Sequence, residues 1–377
     1  MGRTKMISRI SRRTLLKGAT TAGLAALAAP AIVKDALSSS GSLNYMAWAG
    51  YDYAPLLEKF KKATGITVKI TSAQPDSETM LSQAKLDKTG IDIAEPAMHY
   101  VRVWVSEGML QPYDLNKIKM SNFVDGAPGA SPGDQGEVEG KRYYLPSSWG
   151  TEALVFSKKD APMAYGTASL ADLFDKKFEG KVTLRPQSAL PAMGRLLEAQ
   201  GKLPRPFLDS YKDEATMRQI WDIVLAAAIE RKANVAQFWA SDSEAEGAFR
   251  TNGCTLGLCW DSTGANLAPD GFGFLAPKEG AFSWSQGFVL MKSAQNVEQA
   301  NEFINWVSSA EGSAGWATMY SCNPIGKGGI ELMSPKVLDF YKAAYPEDAL
   351  KKLWLWPPRE PWFVKLSTEY GDKWRAA

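Results

Sequence analysis

Strand and helix signals alternate through the first third of this chain, and that alternation narrows the fold more than any single motif. Leu43–Trp48 reads as a strand. Pro55–Thr64 reads as a helix, with Leu56, Leu57, Phe60 and Ala63 at helical spacing and Gly65 as its C-cap. Thr67–Thr71 is the next strand, Ser77–Leu86 a helix opened by Asp76, Ile91–Ala94 a strand, and His99–Glu107 a helix closed by Gly108. Repeated β-α-β units require a parallel sheet with helices on its faces. Phe123–Gly140 is a Gly/Pro-rich loop without periodicity. Beyond it, strands are expected at Tyr143–Trp149 and Ala153–Ser157, broken by Gly150, and at Lys181–Arg185, Thr255–Trp260 and Phe288–Met291. Helices are expected at Leu170–Phe174, Pro191–Gln200, Glu214–Arg231 and Val297–Ser308. Asp261-Ser262-Thr263-Gly264 reads as a polar corner, and the tail from Pro335 as helical pieces interrupted by Trp354-Leu355-Trp356-Pro357-Pro358.

The N-terminus reads as an export address. Ser11-Arg12-Arg13-Thr14-Leu15-Leu16-Lys17 stands ahead of the small, apolar Gly18–Ala29, with Ala26-Leu27-Ala28 and Ala29-Pro30-Ala31 as candidate cleavage sites. Residues 1–36 are therefore expected to be a twin-arginine signal peptide, with a periplasmic mature protein. Of the 43 basic and 41 acidic residues, seven and one fall within positions 1–40, leaving 36 and 40 and a formal charge of −4. The basic balance belongs to the leader, so nucleic acid is not expected as a partner. About 337 remaining residues exceed one usual hydrophobic core, so two domains are the default.

The chain shows no convincing catalytic constellation. Gly129-Ala130-Ser131-Pro132-Gly133 fits a nucleophile elbow by letters, but its flanks are loop and the single histidine, His99, precedes it. Gly271-Phe272-Gly273-Phe274-Leu275-Ala276 resembles a dinucleotide fingerprint, yet Pro277-Lys278-Glu279-Gly280 follows where a helix should begin. Cys254, Cys259 and Cys322 lack metal-site spacing; they read as buried free thiols, with Cys259–Cys322 as the one bridge to test. No cofactor and no metal are expected.

Several stretches, taken in order, resemble the spermidine/putrescine-type periplasmic binding proteins of ABC transporters. They are Trp48-Ala49-Gly50-Tyr51 with Ala63-Thr64-Gly65-Ile66-Thr67-Val68, and Ile91-Asp92-Ile93-Ala94-Glu95-Pro96 with Gly108-Met109-Leu110-Gln111-Pro112-Tyr113-Asp114. Leu145-Pro146 with Trp149-Gly150-Thr151, then Leu173-Phe174-Asp175 with Phe178-Glu179-Gly180-Lys181-Val182, continue the likeness. Ala276-Pro277-Lys278-Glu279-Gly280 ahead of Trp284 and Ala300–Val307 completes it. The resemblance implies an α/β, two-lobed type II periplasmic binding fold, each lobe a mainly parallel sheet flanked by helices. One lobe would hold 42–150 plus 262–310 and the other 151–261 plus 311–377, with crossings at Trp149-Gly150-Thr151 and Trp260-Asp261-Ser262. It implies a monomeric, non-enzymatic receptor that closes on a small solute and delivers it to a membrane permease. An exported enzyme on the same bilobed fold and a chemoreceptor-partner or scaffold protein are the alternatives from other classes.

The resemblance also places Trp48, Tyr51, Trp260 and Trp284 as pocket rings, with Trp149 on the crossing strand. Rings of this kind hold cations over their faces. The family's carboxylates are not retained: Arg185-Pro186-Gln187-Ser188 stands where an acidic segment belongs, and Trp284-Ser285-Gln286-Gly287 lacks an acid. Asp261 is the one obvious nearby acid, and burying several ammonium charges without partners costs several kcal/mol, roughly, for each. Arg185 reads either as a bidentate partner for a carboxylate or as an interlobe salt bridge. His99 reads either as a pocket hydrogen-bond partner, making affinity vary between about pH 5 and 8, or as a structural residue at a helix start. The expected solute is a small amine-containing or zwitterionic compound (an amino acid, γ-aminobutyrate or a betaine), with a polyamine as the alternative.

Overall fold

The computed structural model describes residues 41–377, so the expected leader at 1–36 lies outside the described residues. Strands β1 (Ser42–Trp48), β2 (Thr67–Gln74) and β3 (Ile93–Ala94) alternate with helices α1 (Ala54–Thr64) and α2 (Ser77–Leu86). β1 pairs in parallel with both β2 and β3, as the β-α-β reading requires. α1 stops at Gly65, whose φ of 80° is left-handed and open to glycine without strain. Asp76 starts α2 by accepting the backbone N–H groups of Glu78 and Thr79. The helix expected from His99 divides into a tight turn, Met98–Tyr100, and α3 (Val101–Ser106).

After the hairpin of β4 (Glu137–Val138) and β5 (Lys141–Arg142), β6 runs through Tyr144–Ser157 and is buried at every position. The two strands expected on either side of Gly150 are therefore one. Gly150 marks a close approach rather than a break: a Cβ there would lie 2.3 Å from Trp284 Cζ2 and 2.5 Å from Asp261 Oδ2. β7 (Val182–Leu184) leads into α4 (Pro186–Ala199), which begins five residues before the expected Pro191. Pro186 occupies the first turn, where a missing N–H costs nothing, and Pro191 lies inside the helix. Next come α5 (Glu214–Glu230), β8 (Val235–Phe238), α6 (Asp242–Arg250), β9 (Leu256–Trp260) and α7 (Asp261–Leu267). The supposed polar corner is thus the first turn of α7.

β10 (Phe272–Leu275) and β11 (Phe282–Leu290) follow. β11 starts six residues before the expected Phe288 because its buried Ser283, Ser285 and Gln286 disguise it as loop. The chain ends with α8 (Val297–Val307), α9 (Ala310–Tyr320), β12 (Asn323–Pro324), α10 (Pro335–Ala344), β13 (Trp354–Leu355) and α11 (Pro361–Ala376).

The strand order is β2-β1-β3-β11-β6-β9-β7-β8, parallel toward both ends. β6 is antiparallel to β11 along Tyr144–Glu152 and to β9 along Glu152–Phe156. One strand therefore serves both halves of the sheet and changes partner at Glu152. Leu43, Phe60, Phe288, Phe303, Trp316 and Tyr320 pack in one large apolar cluster. Leu154, Phe207, Trp221, Leu256, Phe363 and Trp374 pack in another. Packing divides the chain differently from the expected lobes: α9 joins the first group, whereas Leu267 and Phe274 pack beside Trp239 and Cys259. Cys322 lies with Trp316 and Cys259 with Trp239, so separate cores hold the two thiols. All three cysteines are free and buried, without the bridge considered for Cys259 and Cys322.

A carboxylate ties the first group together. Glu95, fully buried, accepts from Tyr45 and Ser147, from Trp316 Nε1 at 3.0 Å and from Tyr320 Oη at 2.8 Å. Burial raises its pKa, and these four bonds oppose the rise. Glu95→Leu leaves the Tyr45 hydroxyl and Trp316 Nε1 without an acceptor, while Ser147 keeps the Gln286 carbonyl and Tyr320 keeps Tyr53. It is expected to cost about 3 kcal/mol or more in denaturant unfolding, with Glu95→Gln costing less. Gly150→Ala is expected to cost about 1–3 kcal/mol, because both atoms facing it are packed; an unchanged unfolding midpoint would show that the contact yields freely.

Candidate functional site

Where β6 exchanges partners, strand ends from both halves of the sheet converge on a cavity of about 830 Å³, its mouth included. Open α/β sheets place ligands at such switch points. Trp48 closes β1 and Tyr51 follows it; Trp260 ends β9, and Trp284 and Gln286 lie on β11. Tyr51 Oη donates to Asp242 of α6 at 2.8 Å, which ties a ring of the first half to the second. Tyr320, held by Glu95, adds a further wall.

Six of the eight residues expected at the site line this cavity: Trp48, Tyr51, His99, Arg185, Trp260 and Trp284. Trp149 and Asp261 do not line it. Trp149 packs against the adjoining rings of Tyr341 and Tyr345, with centroids at 6.5 and 6.4 Å. Asp261 Oδ2 accepts from the Thr151 backbone at 3.0 Å and from Tyr345 Oη at 3.2 Å. Burial pushes its carboxyl up to about 8. Alternation explains the first misplacement: Trp149 and Glu152 stand three residues apart on one strand and so face opposite sides. Asp261 opens α7 directly after Trp260, and the helical turn directs it to Thr151 and Tyr345 instead.

The acids that do line the cavity are Asp76, Glu78 and Glu152, which corrects the expectation that Asp261 alone remained. Asp76 is engaged in capping α2. Glu78 accepts from Tyr100 Oη at 2.6 Å. Glu152 is 1% exposed, accepts from Ser188, and forms no ion pair among the described residues. Burial raises its carboxyl to about 7, opposed by the nearby Arg185 charge and the Ser188 hydroxyl. Sequence reasoning passed over Glu152 because it sits among buried residues in mid-strand, with no motif around it. A charged residue inside an otherwise apolar strand was the available signal.

His99 is buried, and its pKa falls well below the ordinary value through desolvation, then through the charges of Arg359 and Arg185. Its titration is thus displaced to lower pH than the range expected of it. The tail contributes two unexpected wall residues, Trp356 and Arg359. Trp356 stacks on Phe282 at 4.6 Å, and the Arg359 backbone N–H donates to the His99 carbonyl at 2.8 Å. The Trp-Pro segment is therefore a strap that pairs with β11 and ends in the cavity. Among the described residues, no group of three His, Cys, Asp or Glu is placed to hold a metal ion.

Residues 56–331 match the family described as bacterial extracellular solute-binding protein. A spermidine/putrescine-binding periplasmic protein of Escherichia coli K12 is 27% identical over 373 residues, covering 97% of this chain and 98% of that one. A counterpart from Haemophilus influenzae is 25% identical over 348 residues, with 91% of each chain covered. The fold also matches a solved spermidine/putrescine ABC transporter substrate-binding protein from Streptococcus pneumoniae. That match has a TM-score of 0.71 at 20% identity and covers 89% of this chain and 99% of that one.

A Glu152 carboxyl raised in the fold is ionised at a cost that grows as pH climbs from about 4.5 to 7 and is complete above that. Glu152→Gln is therefore expected to stabilise the ligand-free protein by about 3 kcal/mol at pH 8 and by about 1 or less at pH 5. Denaturant unfolding at the two pH values checks this, and an equal effect at both would refute it.

Proposed function

Because this chain belongs to the bacterial extracellular solute-binding proteins, we propose that it captures a small organic amine for delivery to a membrane permease. It is a periplasmic solute-binding protein of the ABC importer type. The observation that carries the ligand reading is the convergence of four rings, Trp48, Tyr51, Trp260 and Trp284, with Glu152 in one cavity. Ring faces attract an ammonium by roughly 0.5–2 kcal/mol each. A carboxylate at the same place supplies the counter-charge that burial of an ammonium requires. The ammonium in turn favours the ionised form of Glu152, whose charge is otherwise held at a cost.

The relatives' names support putrescine- and spermidine-like amines ahead of the amino acid, γ-aminobutyrate or betaine expected from the sequence. Glu152 on the cavity wall supports the same class, since it can meet an ammonium end, whereas Asp76 caps α2 and Glu78 is held by Tyr100 beside Arg359. One observation favours the second reading, an amine that also carries a carboxylate: two arginines line the same cavity. Capture works by closure of two lobes about β6 and β11, with a few dihedrals near Gly150–Glu152 taking up the motion. The chain is read as a carrier of intact solute, and turnover plays no part.

Titration calorimetry on protein unfolded, freed of solute and refolded tests this with putrescine, spermidine and γ-aminobutyrate. Binding at micromolar or lower concentration, with a change in tryptophan emission and recovery of unaltered solute, is expected for at least one. Failure of every amine to bind would overturn the reading.

A further inference from the structure

We propose that Arg185 and Arg359 form an anion-binding end of the cavity, so that the captured amine also carries a carboxylate. The proposal rests on the solute-receptor reading and narrows its ligand. The two arginines come from unrelated segments: Arg185 from the junction of β7 and α4, and Arg359 from the strap between β13 and α11. Arg359 lies outside the 56–331 stretch that the family model matches. Yet both line one cavity, and both charges act on the same three groups, His99, Tyr100 and Glu152.

Neither guanidinium has its donors met. Arg185 makes no ion pair or side-chain hydrogen bond with a described residue; it lies over the rings of Trp260 at 5.0 Å and Trp239 at 5.9 Å, and its buried Nε is unpartnered. Arg359 donates through Nη1 to Tyr100, lies 3.9 Å from Glu78, and leaves its buried Nε unpartnered as well. The ring faces of Tyr100 at 4.9 Å and Trp356 at 5.5 Å fix it in place. The indole Nε1 atoms of Trp48 and Trp284 add two more buried donors without protein acceptors. Buried donors left unmet are costly, and a carboxylate presents the two planar oxygens that guanidinium forks recognise.

The local backbone reinforces that sign. Arg185 is the N-cap of the 14-residue α4, and Gln187 in its first turn also lines the cavity. A helix N-terminus favours an anion, here beside an unpaired guanidinium. Glu152 and the rings take the ammonium, and Arg185 with Arg359 the acid group. A diamine would satisfy the first set and set an ammonium against two fixed cations at the second.

Matched probes separate these cases. γ-Aminobutyrate is a four-carbon chain with one amine and one carboxylate, ornithine is putrescine bearing a carboxylate, and butyrate lacks the amine. On the refolded full chain, calorimetry should find γ-aminobutyrate or ornithine bound at least tenfold more tightly than putrescine, with butyrate weak. Arg185→Gln should lower that affinity at least tenfold relative to its effect on putrescine, reversing or abolishing the preference. Arg185 lies over Trp260 and its charge favours ionised Glu152, so the unfolding midpoint of this variant is measured alongside. The readout is the change in selectivity between probes, which a uniform loss of stability would not produce. Arg359→Gln should act in the same direction, and Arg359→Lys, which keeps the charge, should lose less. Putrescine binding as tightly as the amino acids, or an Arg185→Gln variant with unaltered selectivity, would overturn the anion-binding end while leaving the amine receptor intact. If none of the compounds bound, both readings would fall.

Discussion

Glu95 is the interaction on which the first half of the molecule depends. It is an acid without a basic partner among the described residues, fully buried and held by four neutral donors from β1, β6 and α9. A carboxylate in such a place is tolerable only while every donor is present, so the elements that carry those donors are fixed to one another. Tyr45 belongs to the strand that ends in Trp48, Ser147 to the strand that carries Glu152, and Tyr320 is itself a cavity wall. Tyr320 also hydrogen-bonds Tyr53, whose hydroxyl in turn meets the Trp48 backbone. The ring positions at the site are therefore set by a polar network one layer beneath it.

The second constraint is the shared strand. Because β6 pairs with β11 before Glu152 and with β9 after it, strand ends from both halves must meet at that residue. The pocket follows from this exchange. It also explains why a carboxylate there carries a raised pKa: the point where two pairings cross is enclosed on both sides. Gly150, two residues earlier, makes room for the ring of Trp284, itself a cavity wall, to approach the strand closely.

Much of the fold was legible. The alternation from Leu43 to Gly108, the Gly65 and Asp76 caps and the long α5 all appear within three residues of expectation, because local periodicity and capping chemistry determine them. The failures share a cause. Ser283, Ser285 and Gln286 look like loop but are buried strand, and Gly150 looks like a break but is a contact. In both cases a neighbour distant in sequence decides. Glu152 and Arg359 went unseen for the same reason, since nothing beside them in the chain marks them as walls of a site.

By itself the sequence determined a parallel-type α/β chain, its family likeness, and the aromatic residues that crowd one cavity. These rest on spacing and on residue type, both of which are local. Only the tertiary structure decided which acids and bases face the solute. It turned Asp261 and Trp149 away, brought Glu152 in from mid-strand, lowered the pKa of His99 through burial and then two arginine charges, and swung the C-terminal strap across to deliver Arg359. Which side of a strand faces the cavity, and what lies opposite it, depend on pairings between residues up to some 280 positions apart, such as Glu78 with Arg359. No local pattern encodes a contact of that kind.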